Sequence, residues 1–143
     1  MMVLWVDDNP NESKKIWDEL EVTHNSGVMI PFVSTQELEQ WLKTKKAVLD
    51  DPTAQVMLIT NMTRYDEEED EKDEYAGVKA IQAFHKYKAD GPVFVYNWWI
   101  EGTLKKLSKH DLNPSRRLRV SDKPKEVKEF MRKFGFDAWS YIH

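Results

Sequence analysis

The sequence predicts an α/β sandwich, a five-stranded parallel sheet covered by helices on both faces, in a single domain. Three observations carry this. Short apolar runs alternate five times with stretches of helical periodicity, the pattern in which crossover helices join parallel strands. The runs Val3-Leu4-Trp5-Val6 and Val56-Met57-Leu58-Ile59 lack polar alternation, as strands buried on both faces do. And 143 residues, 41% apolar with six Trp, five Tyr and six Phe, suffice for one substantial core.

The elements follow in order. After the first strand, Asn9-Pro10 supplies a helix cap and a proline at the first helical position, where its missing N–H costs nothing. Ile16 and Leu20, with Trp17, give residues 10–21 one apolar face. Asn25-Ser26-Gly27 turns into a second strand, Val28 to Val33. Pro31 within it lacks a ladder donor and points to a sheet edge. An edge position agrees with the strand order 2-1-3-4-5. Ser34-Thr35-Gln36-Glu37 is a capping box, and Leu38, Trp41 and Leu42 face inward from the helix it opens. The third strand begins at Val56. Ala76-Gly77 opens a helix with Val78, Ile81 and Phe84 or His85 on one face. Val93-Phe94-Val95-Tyr96 is the fourth strand, and 102–110 forms a weaker helix around Leu104 and Leu107. Leu118-Arg119-Val120 is a short fifth strand, and 123–134 the last helix, with Val127, Phe130, Met131 and Phe134 inward.

Composition excludes several classes. Without cysteine there is neither a disulfide framework nor a thiolate metal site. Asp7 comes too early for a signal-peptide core, and no apolar run could span a membrane, so a cytoplasmic protein is expected. The glycosylation-type triplets at Asn11 and Asn61 are then accidental. Charge is unevenly spread. Six basic side chains face ten acidic ones in 1–65, one faces eight in 66–74, and fourteen face seven in 75–143. A solvated helix surface accounts for the basic half; an acidic partner is the sharper alternative. None of the four His has metal-ligand spacing with another, and there is no phosphate loop or nucleophile motif.

Open α/β sheets place their sites at the carboxyl ends of the strands. The first strand ends in Asp7-Asp8-Asn9 and the third in Asn61-Met62-Thr63. If the two strands are neighbours, Asp7, Asp8 and Asn61 share a crevice whose oxygens suit a weak site for a hard cation. A polar turn with a helix cap explains Asp7-Asp8 equally well.

Val3 to Pro10 (VLWVDDNP), the position of Asn61 and Lys123-Pro124 together resemble the receiver domain of two-component response regulators. The resemblance spans roughly residues 2–134 and implies a flavodoxin-like fold. In that family an acidic pair ends the first strand, a phosphate-accepting Asp the third and a Thr or Ser the fourth; a Lys-Pro follows the fifth. It implies a Mg²⁺ site at Asp7, Asp8, the side chain of Asn61 and the carbonyl of Thr63, and a pocket that includes Asn97 and Lys123. This chain departs from the pattern at three switch positions. Asn61 stands at the acceptor position, Asn97 at the Thr/Ser position, and Val120 where an aromatic is common. Lys123 also lies one residue further from its strand than usual. A carboxamide is a poor nucleophile, so no aspartyl phosphate is expected. With one negative charge fewer, Mg²⁺ would bind weakly, and no cofactor is required. Asn61 and Gly77 are twice as far apart as the resemblance implies, which marks 66–74 as an acidic insertion in a receiver-like domain of residues 1–134. The aromatic tail 135–143 is expected to pack back on the domain.

The tandem Trp98-Trp99 either fills space under the next helix or serves as a contact hot spot. With Lys105, Lys106, Lys109, Arg116, Arg117 and Arg119 it would form a basic, aromatic partner surface. The expected function is that of a non-enzymatic signalling domain, a pseudo-receiver that acts by protein–protein contact as a monomer or weak homodimer. Nucleic acid is disfavoured by the overall acidity. The alternatives are an Asn-substituted form of a phospho-accepting receiver, or a small-ligand-binding or enzymatic domain in the same crevice.

Overall fold

The computed structural model describes residues 2–19, 28–64 and 72–134. Five parallel strands, β1 (Met2–Val6), β2 (Val28–Phe32), β3 (Val56–Thr60), β4 (Val93–Tyr96) and β5 (Leu118–Ser121), form one sheet in the order β2-β1-β3-β4-β5. The helices are α1 (Pro10–Glu19), α2 (Thr35–Thr44), a five-residue α3 (Lys46–Asp50), α4 (Ala76–Tyr87), α5 (Ile100–Ser108) and α6 (Pro124–Lys133).

Alternation along the strands divides the core in two. Leu4, Val6, Leu58, Val93 and Val95 meet Leu38, Leu42, Ile81, Phe84 and Leu107 from α2, α4 and α5. Val3, Trp5, Met57, Ile59 and Phe94 meet Ile16, Val127, Phe130 and Met131 from α1 and α6. Every residue of β3 is buried, as expected of a central strand with both faces covered. β2 pairs only with β1, with Pro31 opposite Trp5, so the proline sits on an edge where its missing donor breaks no second ladder.

Register aligns the strand ends. Val6 lies opposite both Phe32 and Thr60, and Tyr96 opposite Ser121, so the residues after β1, β3, β4 and β5 emerge along one edge. Local caps hold the helices to that edge. Asn9 Oδ1 accepts from Glu12 N–H at 3.4 Å, and Ser34 Oγ accepts from Glu37 N–H at 3.2 Å. Gly77 lets α4 start hard against the end of β3. Its N–H donates to Met62 O at 2.8 Å, and a Cβ there would lie 2.5 Å from Asn61 O.

Several bounds differ from the sequence reading, with β2 ending at Phe32 rather than Val33 and α6 spanning Pro124–Lys133 rather than 123–134. α3 was not expected, because five residues are too few to display a helical period. α5 begins at Ile100 rather than 102, and β5 extends through Ser121. Leu20, the Asn25-Ser26-Gly27 turn, most of the acidic insertion and the aromatic tail 135–143 lie outside the described residues. No helix among the described residues is long and apolar enough to cross a membrane.

Candidate functional site

A cavity of about 340 Å³ at the carboxyl edge is lined by Asp7, Asn61, Thr63, Lys72, Tyr96, Asn97, Trp98 and Asp122. The fold thus brings Asp7, Asn61, Thr63 and Asn97 together. Asp8 is exposed and is hydrogen-bonded to the Asp7 side chain. Lys123 is exposed at the N-cap of α6, and Asp122 lines the cavity in its stead. The extra residue before Lys123 accounts for the exchange: β5 runs one residue further, and Lys123 N–H is tied back to Ser121 Oγ at 3.1 Å.

The Asp7 carboxyl is pushed up to about 6. Burial is the main cause, reinforced by the charge of Asp8 and a hydrogen bond to it, and opposed by the Asn9 N–H and the Arg64 guanidinium. Asn97 is committed locally: its Nδ2 donates to Thr103 Oγ1 at 2.8 Å, and that hydroxyl donates to Trp99 O at 2.7 Å. These bonds fasten the turn between β4 and α5 that carries both tryptophans.

Sequence reasoning missed Arg64, the residue that organises this edge. It is wholly buried. Its Nη1 donates to Asn61 Oδ1 at 2.8 Å and to Thr60 Oγ1 at 3.0 Å, and reaches Asn61 O at 3.4 Å. Its Nη2 donates to Thr35 Oγ1 at 2.5 Å and Ala76 O at 3.3 Å. One guanidinium therefore joins the end of β3 to the starts of α2 and α4, with acceptors matched to its rigid fork of donors. Its backbone pairs antiparallel with Asp73, N to O at 3.1 and 2.8 Å, and closes the neck of the acidic insertion. Asp73 also caps Tyr75 N–H at 2.8 Å and pairs with Lys79 at 2.5 Å. The available signal was that Arg64 is the sole basic residue between Lys46 and Lys72. Lys72, Tyr96 and Asp122 carried no signal beyond their neighbourhood.

The set fits Mg²⁺ poorly. Among the described residues no group of three His, Cys, Asp or Glu side chains could hold a metal ion. The oxygen of residue 61 is already an acceptor for a cation, and Mg²⁺ relies on charged oxygens to offset its dehydration.

The residues grouped as a partner surface divide into three places. Trp98 is 80% and Trp99 53% exposed. Trp99 lines a second cavity of about 340 Å³ with Tyr75, Lys105, Lys106 and Lys109 and two acids, Glu74 and Glu101, the latter paired with Lys105 at 3.6 Å. The Lys106 ammonium lies 5.9 Å from the Trp99 ring centroid and 5.8 Å from that of Tyr75. Arg117 is elsewhere, at the far end of the sheet, where it donates to Asp90 O at 2.6 Å and stacks on Phe134. Arg119 pairs with Glu126 at 2.6 Å and Glu129 at 3.7 Å on α6. Arg116 is exposed just before β5. Trp99, Lys105, Lys106 and Lys109 thus remain together, while Trp98, next to Trp99 in the chain, lines the carboxyl-edge cavity.

A doubly wound sheet in this order, with acids and an amide converging at its carboxyl edge, has the fold of a receiver domain. The crystal structure of a response regulator receiver domain protein from Clostridium thermocellum matches it with a TM-score of 0.60 at 9% identity, covering 99% of this chain and 98% of that one. At that identity the likeness is one of fold. No family model matches the chain, and no curated protein matches it.

Proposed function

We propose that this chain is a receiver-like regulatory domain that accepts no phosphate and acts by protein–protein contact. Residue 61 carries the reading. An aspartyl phosphate requires a carboxylate nucleophile, whereas Asn61 offers a neutral amide oxygen whose lone pairs are delocalised and which accepts from Arg64 at 2.8 Å. Neither neighbour, Thr60 or Met62, supplies a carboxylate. With a phosphate switch removed, the role left to the fold is recognition without catalysis, in signal transduction of the two-component kind.

The contact face is Trp98 and Trp99 with Lys105 and Lys106. Large exposed indoles beside cations suit an acidic protein segment with an apolar anchor, because Trp is enriched where interfaces concentrate their energy. Incubation with acetyl phosphate and Mg²⁺ should leave the intact mass unchanged. A phosphate-sized gain that hydroxylamine removes refutes the reading, and Trp98→Ala should weaken capture of the partner without lowering the melting temperature.

A further inference from the structure

We infer that Arg64 is the resident cation of the carboxyl-edge site: its guanidinium holds the oxygen of residue 61 that a divalent ion would need, and so excludes the ion whatever charge residue 61 carries. The inference shares with the proposed function the placement of residue 61 at the site, and owes nothing to the tryptophan face.

The geometry leaves little room for a second cation. A metal ion on Asn61 Oδ1 would bond at about 2.1 Å. Added to the 2.8 Å bond from Arg64 Nη1, this sets the ion no more than about 5 Å from that nitrogen. At that distance, even with the screening typical of protein sites, repulsion between a dication and a guanidinium weakens binding by several powers of ten. Arg64 cannot swing aside at small cost. Its side chain is enclosed, and retreat would break its bonds to Thr60, Asn61, Thr35 and Ala76 together. Its backbone is held as well, by the pair of bonds to Asp73.

The consequence runs against the simplest repair of the site. Asn61→Asp restores the carboxylate, but that carboxylate meets the guanidinium first and forms a charge-assisted pair. The single change should therefore produce a more stable chain, not a metal-binding one.

The test is titration of the whole chain with Mn²⁺, with free ion followed by electron paramagnetic resonance and Mg²⁺ added as competitor. Four forms are compared: the natural chain, Asn61→Asp, Asn61→Asp/Arg64→Gln and Asn61→Asp/Arg64→Lys. The natural chain and the single variant should show no saturable binding. The Gln double variant should bind at least about tenfold more tightly than the single variant, a change of the size seen when groups around a metal site are altered. The Lys double variant, which keeps the charge, should stay with the single variant. Saturable binding by the natural chain or by Asn61→Asp overturns the inference, as does a Gln double variant no tighter than the single one. Should the double variants fail to fold, Asn61→Asp decides alone: a raised melting temperature without binding supports the exclusion, and binding refutes it. The phosphorylation and capture experiments use the natural residue 64, so either reading can fail while the other stands.

Discussion

Replacing Asp7 by Asn should stabilise the fold at neutral pH and change little in acid. In the unfolded chain an Asp titrates near about 3.9. In the fold, burial and Asp8 push the Asp7 carboxyl up to about 6. Between those values the folded chain holds a proton that the unfolded chain has released. The stability contributed by this group is therefore complete below about pH 4 and lost as pH rises through about 6. A difference of about two units corresponds to about 3 kcal/mol. Because the carboxyl is only partly enclosed, solvent screening lowers the expectation to roughly 1–2 kcal/mol. Asn is nearly isosteric, can keep the oxygen that accepts Asn9 N–H at 2.8 Å, and never ionises. Urea unfolding of both forms at unit pH steps should show no difference near about pH 4. Above about pH 7 the variant should gain roughly 1–2 kcal/mol. A difference that does not vary with pH, or a natural chain more stable at about pH 8, would refute the assignment of a burial penalty to Asp7.

Arg64→Met keeps volume but removes the guanidinium's donors to Thr60, Asn61, Thr35 and Ala76. Relief of the guanidinium's own desolvation offsets part of the loss, leaving about 2–4 kcal/mol, or a melting temperature lower by roughly 6–15 °C; a loss below about 1 kcal/mol in urea unfolding would mean that the three elements hold together without it. Two glycines should behave oppositely. Gly77→Ala drives a Cβ into the backbone of Asn61 and Met62 and should cost about 1–3 kcal/mol or more in urea unfolding. Gly102→Ala brings a Cβ to 2.5 Å from the Trp99 ring, so the indole shifts, its fluorescence moves to the red, and the helix gains up to about 1 kcal/mol of propensity to set against the lost packing.

The frame was legible because its signals are local. Unbroken apolar runs marked β1 and β3, Pro31 marked the edge, and Asn9-Pro10 and Ser34 marked helix starts. Their order then brought Asp7, Asn61, Thr63 and Asn97 to one edge. What stayed hidden depends on distance in three dimensions. Arg64 looks like a surface cation beside acids, and only the approach of α2 and α4 turns it into a buried fork. Arg117 and Arg119 are two residues apart, yet a strand starts between them. One therefore falls at the amino edge against Asp90 and the other against α6. Lys123 and Asp122 exchange roles because β5 runs a single residue longer than its apolar part.

The antiparallel pinch between Arg64 and Asp73 has a practical consequence. It clasps the chain on either side of the acidic stretch, so the sheet and α4 are indifferent to how much polypeptide leaves through that gap. Loop closure grows only logarithmically with length, about 0.6 kcal/mol per doubling. A peptide tag or a small foreign module spliced between residues 65 and 72 should therefore be carried by the domain at little expense to its stability, with the Arg64 guanidinium still bonded to Asn61 and Thr35.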